Sequence, residues 1–245
     1  MKNFCAKFYS MPPFRSLLTR GRYATGFATA TRRCSIFAIL TFFSMLFTSC
    51  LPQISIKAGK DDEASIFFST GFSDSTAKIL KNLTGLEAND PLFNKDDILV
   101  FLKSAGAENT SANIPTQNEI ATTGTIPHIS KNKLFTSGLL EKTENELSLS
   151  LGTKQIVAFY SLLSEEAKSY LDLMMIPALL GEKMSVEEYK ELLSSMYGPS
   201  FAKEIVDGKL TIVLSSPDGR KQIKETISLG ELLCMTEEKT WTVKF

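Results

Sequence analysis

Apolar and polar residues alternate in two short runs that begin near residue 54. Ile54 and Ile56 alternate with polar neighbours, residues 59–62 form a Gly- and Asp-containing polar segment, and residues 64–69 are again rich in β-forming side chains. A period of two is typical of a half-buried strand, and Gly and Asp between two such runs favour a turn. The pattern therefore predicts a β-hairpin at residues 54–69.

Two segments with a helical period follow the hairpin. Apolar residues recur in them at intervals of three and four, which places them on one face of a helix. Ser73 or Asp74 can cap the first helix and Gly85 can end it, while Asn94 can cap the second and Gly106 can end it. We expect two short amphipathic helices between residues 73 and 106.

The middle of the chain is polar and rich in Thr, Asn and Ser. Its isoleucines are spaced too widely for a helix, so residues 107–137 are interpreted as strand, turn and strand followed by a mobile loop near residues 127–133. A subdivision of the chain near residues 127–137 stays open on this pattern.

The second half begins with a strand and continues with helices and further strands. Residues 146–151 alternate strictly, residues 156–163 and 167–174 carry apolar stripes, Ser185 and Glu188 form a capping box, and Pro199 can open a helix that Gly208 closes. The final strands are expected at residues 209–214, 220–227 and 241–245, the first two joined by a Pro-Asp-Gly turn. Grouped strands and helices predict an α+β fold, with antiparallel sheet packed against amphipathic helices in a single exported domain.

The first fifty residues have a different pattern. Arg32 and Arg33 precede an apolar run of 13 residues, 35–47, which ends at Thr48-Ser49-Cys50. Such a run has the length of a signal-peptide core and is short for a membrane span of about 20 residues. This predicts a signal peptide at residues 1–49, with a mature chain of residues 50–245. An uncleaved anchor is the alternative, because residues 34–56 carry no charge, and the long basic lead-in leaves Met11 open as the true start.

The stretch SIFAILTFFSMLFTSC, residues 35–50, resembles the signal of bacterial lipoproteins. Phe47 stands where Leu or Val is usual, which is more similar to the signals of spirochaetes. The resemblance implies that Cys50 is acylated, for example by palmitate. It also implies that the protein is held by this lipid at a bacterial membrane of the cell envelope, at the periplasmic face or in the outer membrane.

The order of elements from Cys50 to about Ile126 is similar to another group of bacterial proteins. It is a lipidated cysteine, strand, polar turn, strand, two short helices and further strands, which resembles in layout the N-terminal domain of LppM-type lipoproteins. That resemblance implies an affinity for hydrophobic ligands.

Charge limits the partners that the protein can bind, and the cysteine content limits its disulfides. The first 50 residues hold seven of the 27 Lys and Arg residues and none of the 27 Asp and Glu residues, so residues 51–245 carry a net charge of −7. This argues against nucleic acid and against electrostatic docking on anionic lipid. Removal of Cys5 and Cys34 and acylation of Cys50 would leave Cys234 alone, in an apolar setting typical of a buried thiol.

The sequence contains little that is typical of an active site. His128 is the one histidine, and it lies in a polar loop beside Pro127, so we expect it to be solvated. Zinc-ligand clusters and glycine-rich phosphate loops are absent. Adjacent acids on a helix point about 100° apart, so we expect capping or solvated roles for the acid pairs. These pairs are Asp61-Asp62, Asp96-Asp97, Glu165-Glu166, Glu187-Glu188 and Glu237-Glu238. No catalytic residue, metal or cofactor is predicted.

The helical block at residues 156–196 is rich in Met and aromatic residues, which suit either a packed core or an adaptable apolar surface. The residues proposed for an apolar groove are Phe159, Tyr160, Tyr170, Met174, Met175, Tyr189 and Met196. The leading hypothesis is a non-enzymatic, lipid-anchored envelope protein that binds an envelope protein partner or has a structural role. A carrier of lipid or another hydrophobic ligand is the alternative, and a hydrolase that uses His128 or the paired acids is a third.

Overall fold

The computed structural model describes residues 52–132, 135–163 and 165–245, except for the side chains of Thr136, Glu166, Ala167, Ser169 and Tyr170. The expected signal segment, residues 1–49, and the expected acylation site Cys50 lie outside the described residues. The predicted α+β class is confirmed, with strands and helices grouped along the chain.

The strands are β1 (Gln53–Ala58), β2 (Glu63–Gly71), β3 (Glu108–Asn113), β4 (Glu119–Pro127), β5 (Leu140–Lys142), β6 (Glu146–Leu151), β7 (Lys209–Ser215), β8 (Gln222–Ser228) and β9 (Lys239–Lys244). The helices are α1 (Asp74–Thr84), α2 (Lys95–Ser104), α3 (Thr153–Ser161), α4 (Glu165–Leu173), α5 (Pro177–Leu180), α6 (Val186–Tyr197), α7 (Pro199–Asp207) and α8 (Leu229–Leu233). Two 3₁₀ turns, Ile129–Lys131 and Phe135–Ser137, lie between β4 and β5.

The described strands form two sheets. The larger has six strands in the order β3-β4-β2-β1-β7-β8, and the smaller has three in the order β5-β6-β9. All neighbouring strands are antiparallel except β1 and β7, which pair in parallel over residues 53–57 and 211–215. The larger sheet is therefore mixed, whereas the sequence pattern predicted antiparallel pairing.

The two faces of the six-stranded sheet differ in polarity because partners in register share a face. On one face Ile56 lies between Ile66 and Leu214, and this face packs with the smaller sheet in a common core. On the opposite face, which we call the open face, Ser55 lies between Phe67 and Val213. The open face otherwise carries mostly Ser, Thr, Lys and Gln side chains that are exposed or half-buried.

The common core contains residues from both sides of residues 127–137. Ile129 and Phe135 belong to it, with Ile56 and Ile126 from the first part of the chain and Leu147 from the second. β4 continues through Pro127, and the 3₁₀ turns follow where a loop was expected.

A second core lies among helices at one end of the larger sheet. Its fully or almost fully buried residues are Tyr189, Leu193, Phe201, Ala202, Ile205 and Val206. We call α1, α6, α7 and α8 together the helical cluster. α1 begins three residues after β2, α7 ends two residues before β7, and α8 directly follows β8.

β1 begins at this same end of the sheet. The carbonyl of Pro52 accepts a hydrogen bond of 2.9 Å from the backbone N–H of Thr211, near the start of β7. We call this end, where β1 begins beside the helical cluster, the entry end. The opposite end, where turns join β1 to β2 and β7 to β8, is the turn end.

Candidate functional site

The seven residues proposed for an apolar groove lie on three helices and one connection. Phe159 and Tyr160 are on α3, Met174 and Met175 connect α4 to α5, and Tyr189 and Met196 are on α6. Tyr170 is on α4, and its side chain lies outside the described residues. The described members differ widely in exposure, so we consider them separately.

Tyr189 is a core residue of the helical cluster. Its side chain is fully buried, and its hydroxyl donates a hydrogen bond of 2.9 Å to the carbonyl of Met174. Burial raises the pKa of the Tyr189 phenol far above its ordinary value, so the hydroxyl stays a neutral donor. This bond attaches the connection after α4 to α6, and Met174 is half-buried against the same cluster.

Phe159 and Tyr160 connect α3 with its neighbours. The ring of Phe159 meets that of Phe101 on α2 edge-to-face, with centroids 5.2 Å apart, a favoured geometry for aromatic pairs. The hydroxyl of Tyr160 donates to the Oδ1 atom of Asp172 on α4 at 2.7 Å, and this hydrogen bond raises the pKa of Tyr160. Phe159 nevertheless remains 41 % exposed.

Four large apolar side chains on α4, α5, α6 and their connections are exposed. They are Leu173, Met175, Leu180 and Met196, with exposures of 41, 39, 54 and 45 %. The hydroxyl of Tyr197, next to Met196, donates to the carbonyl of Leu173 at 2.7 Å, which holds the end of α6 against the end of α4. Leu173, Met175 and Met196 are brought close together by this bond, and Leu180 follows on α5. Single exposed apolar residues are common on protein surfaces, whereas several near one another indicate an interaction surface. We call these four residues the apolar patch.

Met175 has a strained backbone within the apolar patch. Its φ angle is +47°, in the left-handed region, and its N–H donates to the carbonyl of Asp172 at 3.1 Å. This conformation costs a residue with a Cβ atom about 1–2 kcal/mol, which glycine would avoid. The chain thus places a large apolar side chain, exposed to solvent, at a position where glycine would have no backbone strain. Strain of this kind is concentrated at functional positions.

Two concave surfaces are best defined among the described residues, and both are open to solvent. One, of about 320 Å³, lies on the open face between Ser55, Phe67 and Thr123, and includes Asn109. The other, of about 650 Å³, lies at the turn end and is lined mainly by polar and charged residues. Neither is lined by any of the seven proposed groove residues. Small-molecule sites enclose most of their ligand in apolar walls, and these two surfaces are too open to have that form.

Most of the acid pairs include a residue that forms a specific structural contact. Asp62 accepts hydrogen bonds from the N–H and hydroxyl of Ser130, and Glu188 completes the capping box with Ser185. The backbone N–H groups of Asp96 and Asp97 point to the side chain of Asn94 at the start of α2. Glu165 forms an ion pair with Lys168 at 2.7 Å.

The remaining pair contains Glu238, which contacts a residue that sequence reasoning missed. Gln155 is only 2 % exposed, and its Nε2 atom donates to the carboxylate of Glu238 at 2.8 Å and to the carbonyl of Ser137 at 3.3 Å. Its Oε1 atom has no hydrogen-bond partner in the structure. Gln155 ties the start of α3 to the segment before β9. Its position in the sequence, among polar residues at a helix start, gave no sign of burial.

Glu204 is a second polar residue that the sequence pattern did not single out. From α7 its carboxylate accepts hydrogen bonds from the N–H of Ser73 at 2.7 Å and from the hydroxyls of Ser73 and Thr76 at the start of α1. The side chain of Thr76 is fully buried. Glu204 therefore holds α1 to α7 and complements the positive end of the α1 dipole.

His128 is exposed, as the sequence predicted, and Cys234 is half-buried. His128 precedes the 3₁₀ turn Ile129–Lys131 with a φ angle of +52°. Cys234 is a free thiol that packs against the helical cluster and is half-buried, less than the buried thiol that the sequence predicted. Its partial burial raises the pKa of the thiol, which lowers its reactivity. Within the described ranges, no three His, Cys, Asp or Glu residues are grouped so that they could hold a metal ion.

Comparison with known proteins found no similar protein or structure. No protein-family model matches the chain, and no curated protein or solved structure is significantly similar to it. Of the helices in the described part of the chain, none has the length and apolar character needed to cross a membrane.

Proposed function

We propose that the protein is a non-enzymatic, lipid-anchored protein of the bacterial cell envelope, attached through an acylated Cys50. The observation that carries the proposal is the lipoprotein-like signal at residues 35–50, followed almost at once by the first strand. Gln53 begins β1 only three residues after Cys50. An extended chain spans at most about 3.6 Å per residue, so the tether from Cys50 to β1 reaches about 11 Å.

Acyl chains, and not surface charge, would hold the protein at the membrane. The net charge of −7 on residues 51–245 opposes attraction to anionic lipid. Each buried CH₂ group of an acyl chain contributes about 0.8 kcal/mol, and stable anchoring takes more than one chain or signal. The anchored protein then has a partner-binding or structural role, with the open face of the larger sheet available to an envelope partner.

The test is to express the full chain in a bacterial host and to change each cysteine in turn to alanine. Cys50→Ala should abolish incorporation of labelled palmitate and shift the protein from the detergent phase to the aqueous phase. Cys34→Ala, in the signal segment, and Cys234→Ala, in the mature chain, are matched controls that should change neither result. A Cys50→Ala protein that still fractionates as an integral membrane protein would favour the uncleaved anchor instead.

Transport of a hydrophobic ligand is the second candidate, favoured by the exposed apolar side chains of the helical block. A carrier should co-purify with a lipid in a fixed molar ratio, detectable by mass spectrometry of an organic extract of the mature protein. Phe159→Ser should lower that ratio, because Phe159 is exposed and lies beside Phe101, whereas Thr226→Ala on β8 should not. A mature protein with no non-covalently bound lipid in the organic extract would exclude this role.

A further inference from the structure

We propose that the apolar patch, formed by Leu173, Met175, Leu180 and Met196, inserts into the surface of the bilayer that holds Cys50. This inference rests on the proposed lipid attachment and adds a second, non-covalent contact between the protein and the membrane. The four side chains would thus be in contact with lipid, at the depth where the headgroups meet the acyl chains.

The patch is attached to the helices at the end of the fold where β1 begins. The connection after α4 is fixed to the helical cluster by the hydrogen bond from Tyr189 to the carbonyl of Met174, and to the end of α6 by Tyr197. The helical cluster lies at the entry end of the sheet, where β1 begins. Leu173 and Met175, on either side of Met174, and Met196, next to Tyr197, therefore belong to the same end of the molecule as the tether.

The tether between Cys50 and β1 is short. With Cys50 at the membrane and β1 beginning at Gln53, the entry end stays within about 11 Å of the acylated residue. Apolar faces of surface-bound helices insert about 5–10 Å into the headgroup and acyl boundary. The reach of the tether and the depth of insertion are comparable. The short tether therefore keeps the entry end close enough to the bilayer for exposed apolar side chains to enter it.

The side chains of the patch are suited to contact with lipid. Two of its four residues are methionines, whose flexible side chains adapt to irregular apolar surroundings. Met175 keeps an exposed apolar side chain in a left-handed backbone conformation, which burial in lipid would compensate. The acidic character of residues 51–245 makes apolar insertion, and not electrostatic attraction, the contact that such a domain can form with a bilayer.

The experiment measures contact between the patch and lipid in the mature, acylated protein. In a Cys234→Ala background, Met196→Cys is labelled with an environment-sensitive fluorophore and the protein is reconstituted into phosphatidylcholine vesicles that carry nitroxide-labelled acyl chains. The matched position is Arg220→Cys at the turn end, where the Arg220 side chain is 87 % exposed and therefore open to the label. We expect quenching at position 196 to exceed that at position 220 several-fold.

A second pair of variants tests whether the patch acts as a unit. With the label at position 196, Leu173→Glu should reduce quenching, because Leu173 is exposed and is held beside the end of α6 by Tyr197. Val100→Glu introduces the same charge at a residue of α2 that is 63 % exposed and lies outside the patch, and it should leave quenching unchanged.

Each outcome is decisive. Equally weak quenching at both positions in protein that floats with the vesicles overturns the insertion and leaves the lipid anchor standing. Protein that does not float with the vesicles, although intact and folded, contradicts the anchor and with it the insertion. A label at position 196 that is shielded only as protein concentration rises, with a dimer seen by sedimentation, assigns the patch to a second copy of the chain and also overturns the insertion.

Discussion

The two ends of the six-stranded sheet are built from different kinds of residue. At the entry end, helices enclose a second core around Tyr189 and Phe201, and the apolar patch stays exposed beside it. At the turn end, short polar turns join the strands, and hydrogen bonds such as those from Ser130 to Asp62 and from Ser216 to Asp218 hold them. The entry end, where β1 begins, therefore has exposed apolar side chains, whereas the turn end, where β1 ends, is held by polar contacts.

The ends also differ in the residue types that adopt a left-handed backbone. Toward the turn end these are Asn109, His128 and Gly219, and Asn, His and Gly are the types that adopt this conformation most readily. Met175, a long apolar residue, adopts it beside the helical cluster, where its exposed side chain gives it no such preference. The proposed contact with lipid would give this difference a physical reason.

The largest effect is expected from removing a core side chain of the helical cluster. Phe201 is fully buried, with its ring 5.1 Å from that of Tyr197. Phe201→Ala should lower the free energy of unfolding by about 3–5 kcal/mol, through lost burial and the cavity that remains. Urea denaturation measures it. Lys203→Ala, at an exposed position of the same helix, should stay within about 0.5 kcal/mol of the parent protein, and an equal loss in both would contradict a packed core at the entry end.

A smaller effect is expected from the contact between α1 and α7. Glu204→Ala removes the acceptor for Ser73 and for the hydroxyl of buried Thr76. An unsatisfied buried donor costs about 1–3 kcal/mol, so the free energy of unfolding should fall by that amount. Glu204→Gln, which keeps one acceptor oxygen, should lose less. Equal losses in the two variants would show that the side-chain volume of Glu204, and not its hydrogen bonds, joins the helices.

Met175→Gly tests whether the left-handed backbone at Met175 is strained, in comparison with Gly219 at the turn end. Glycine relieves a left-handed conformation that costs about 1–2 kcal/mol but adds about 0.4–1 kcal/mol of unfolded-state entropy. The free energy of unfolding should therefore stay equal or rise by about 1 kcal/mol. Gly219→Ala at the turn end should lower it, since its φ is +73°. A clear loss of stability in Met175→Gly would mean that the Met175 side chain packs in the fold.

The smallest effects concern pH. The pKa of Asp218 lies below its ordinary value because the Ser216 hydroxyl and the Arg220 N–H donate to its carboxylate. A lowered pKa stabilises the fold above the unfolded-state pKa of about 3.9, and this contribution is lost as the pH falls through the folded pKa. Asp218→Asn should melt slightly lower than the parent protein at neutral pH, and the difference should disappear in acid.

Glu188 provides the matching position at the entry end. The backbone N–H and then the hydroxyl of Ser185 lower its pKa, so its contribution has the same sign and is lost below the unfolded-state value of about 4.3. Both carboxylates are exposed, and solvent screens them. A melting difference that grows in acid for Glu188→Gln or Asp218→Asn would contradict these assignments.

The sequence predicted the elements whose signals are local. The hairpin of β1 and β2, the cap of α1 at Ser73, its end at Gly85 and the capping box of Ser185 and Glu188 are all present. Each depends on residues within a few positions of one another, which is the range over which turn and capping chemistry acts.

Elements that depend on distant contacts were missed. The parallel pairing of β1 with β7 joins residues more than 150 positions apart, and the short β5, α5 and α8 are formed by packing and not by a long periodic pattern. Apolar spacing likewise placed Tyr189 and Met196 on one helix without distinguishing the buried residue from the exposed one. The assembled fold decides which residues of an apolar helix face pack against another element and which stay exposed.

The central claim is that an acylated Cys50 holds the entry end at a membrane. The most direct measurement is the mass of the N-terminal peptide of the protein purified from bacterial membranes after proteolysis. The account predicts a peptide that begins at Cys50 and carries the added mass of acyl chains. A peptide that begins upstream of residue 50, or an unmodified cysteine at that position, would contradict it.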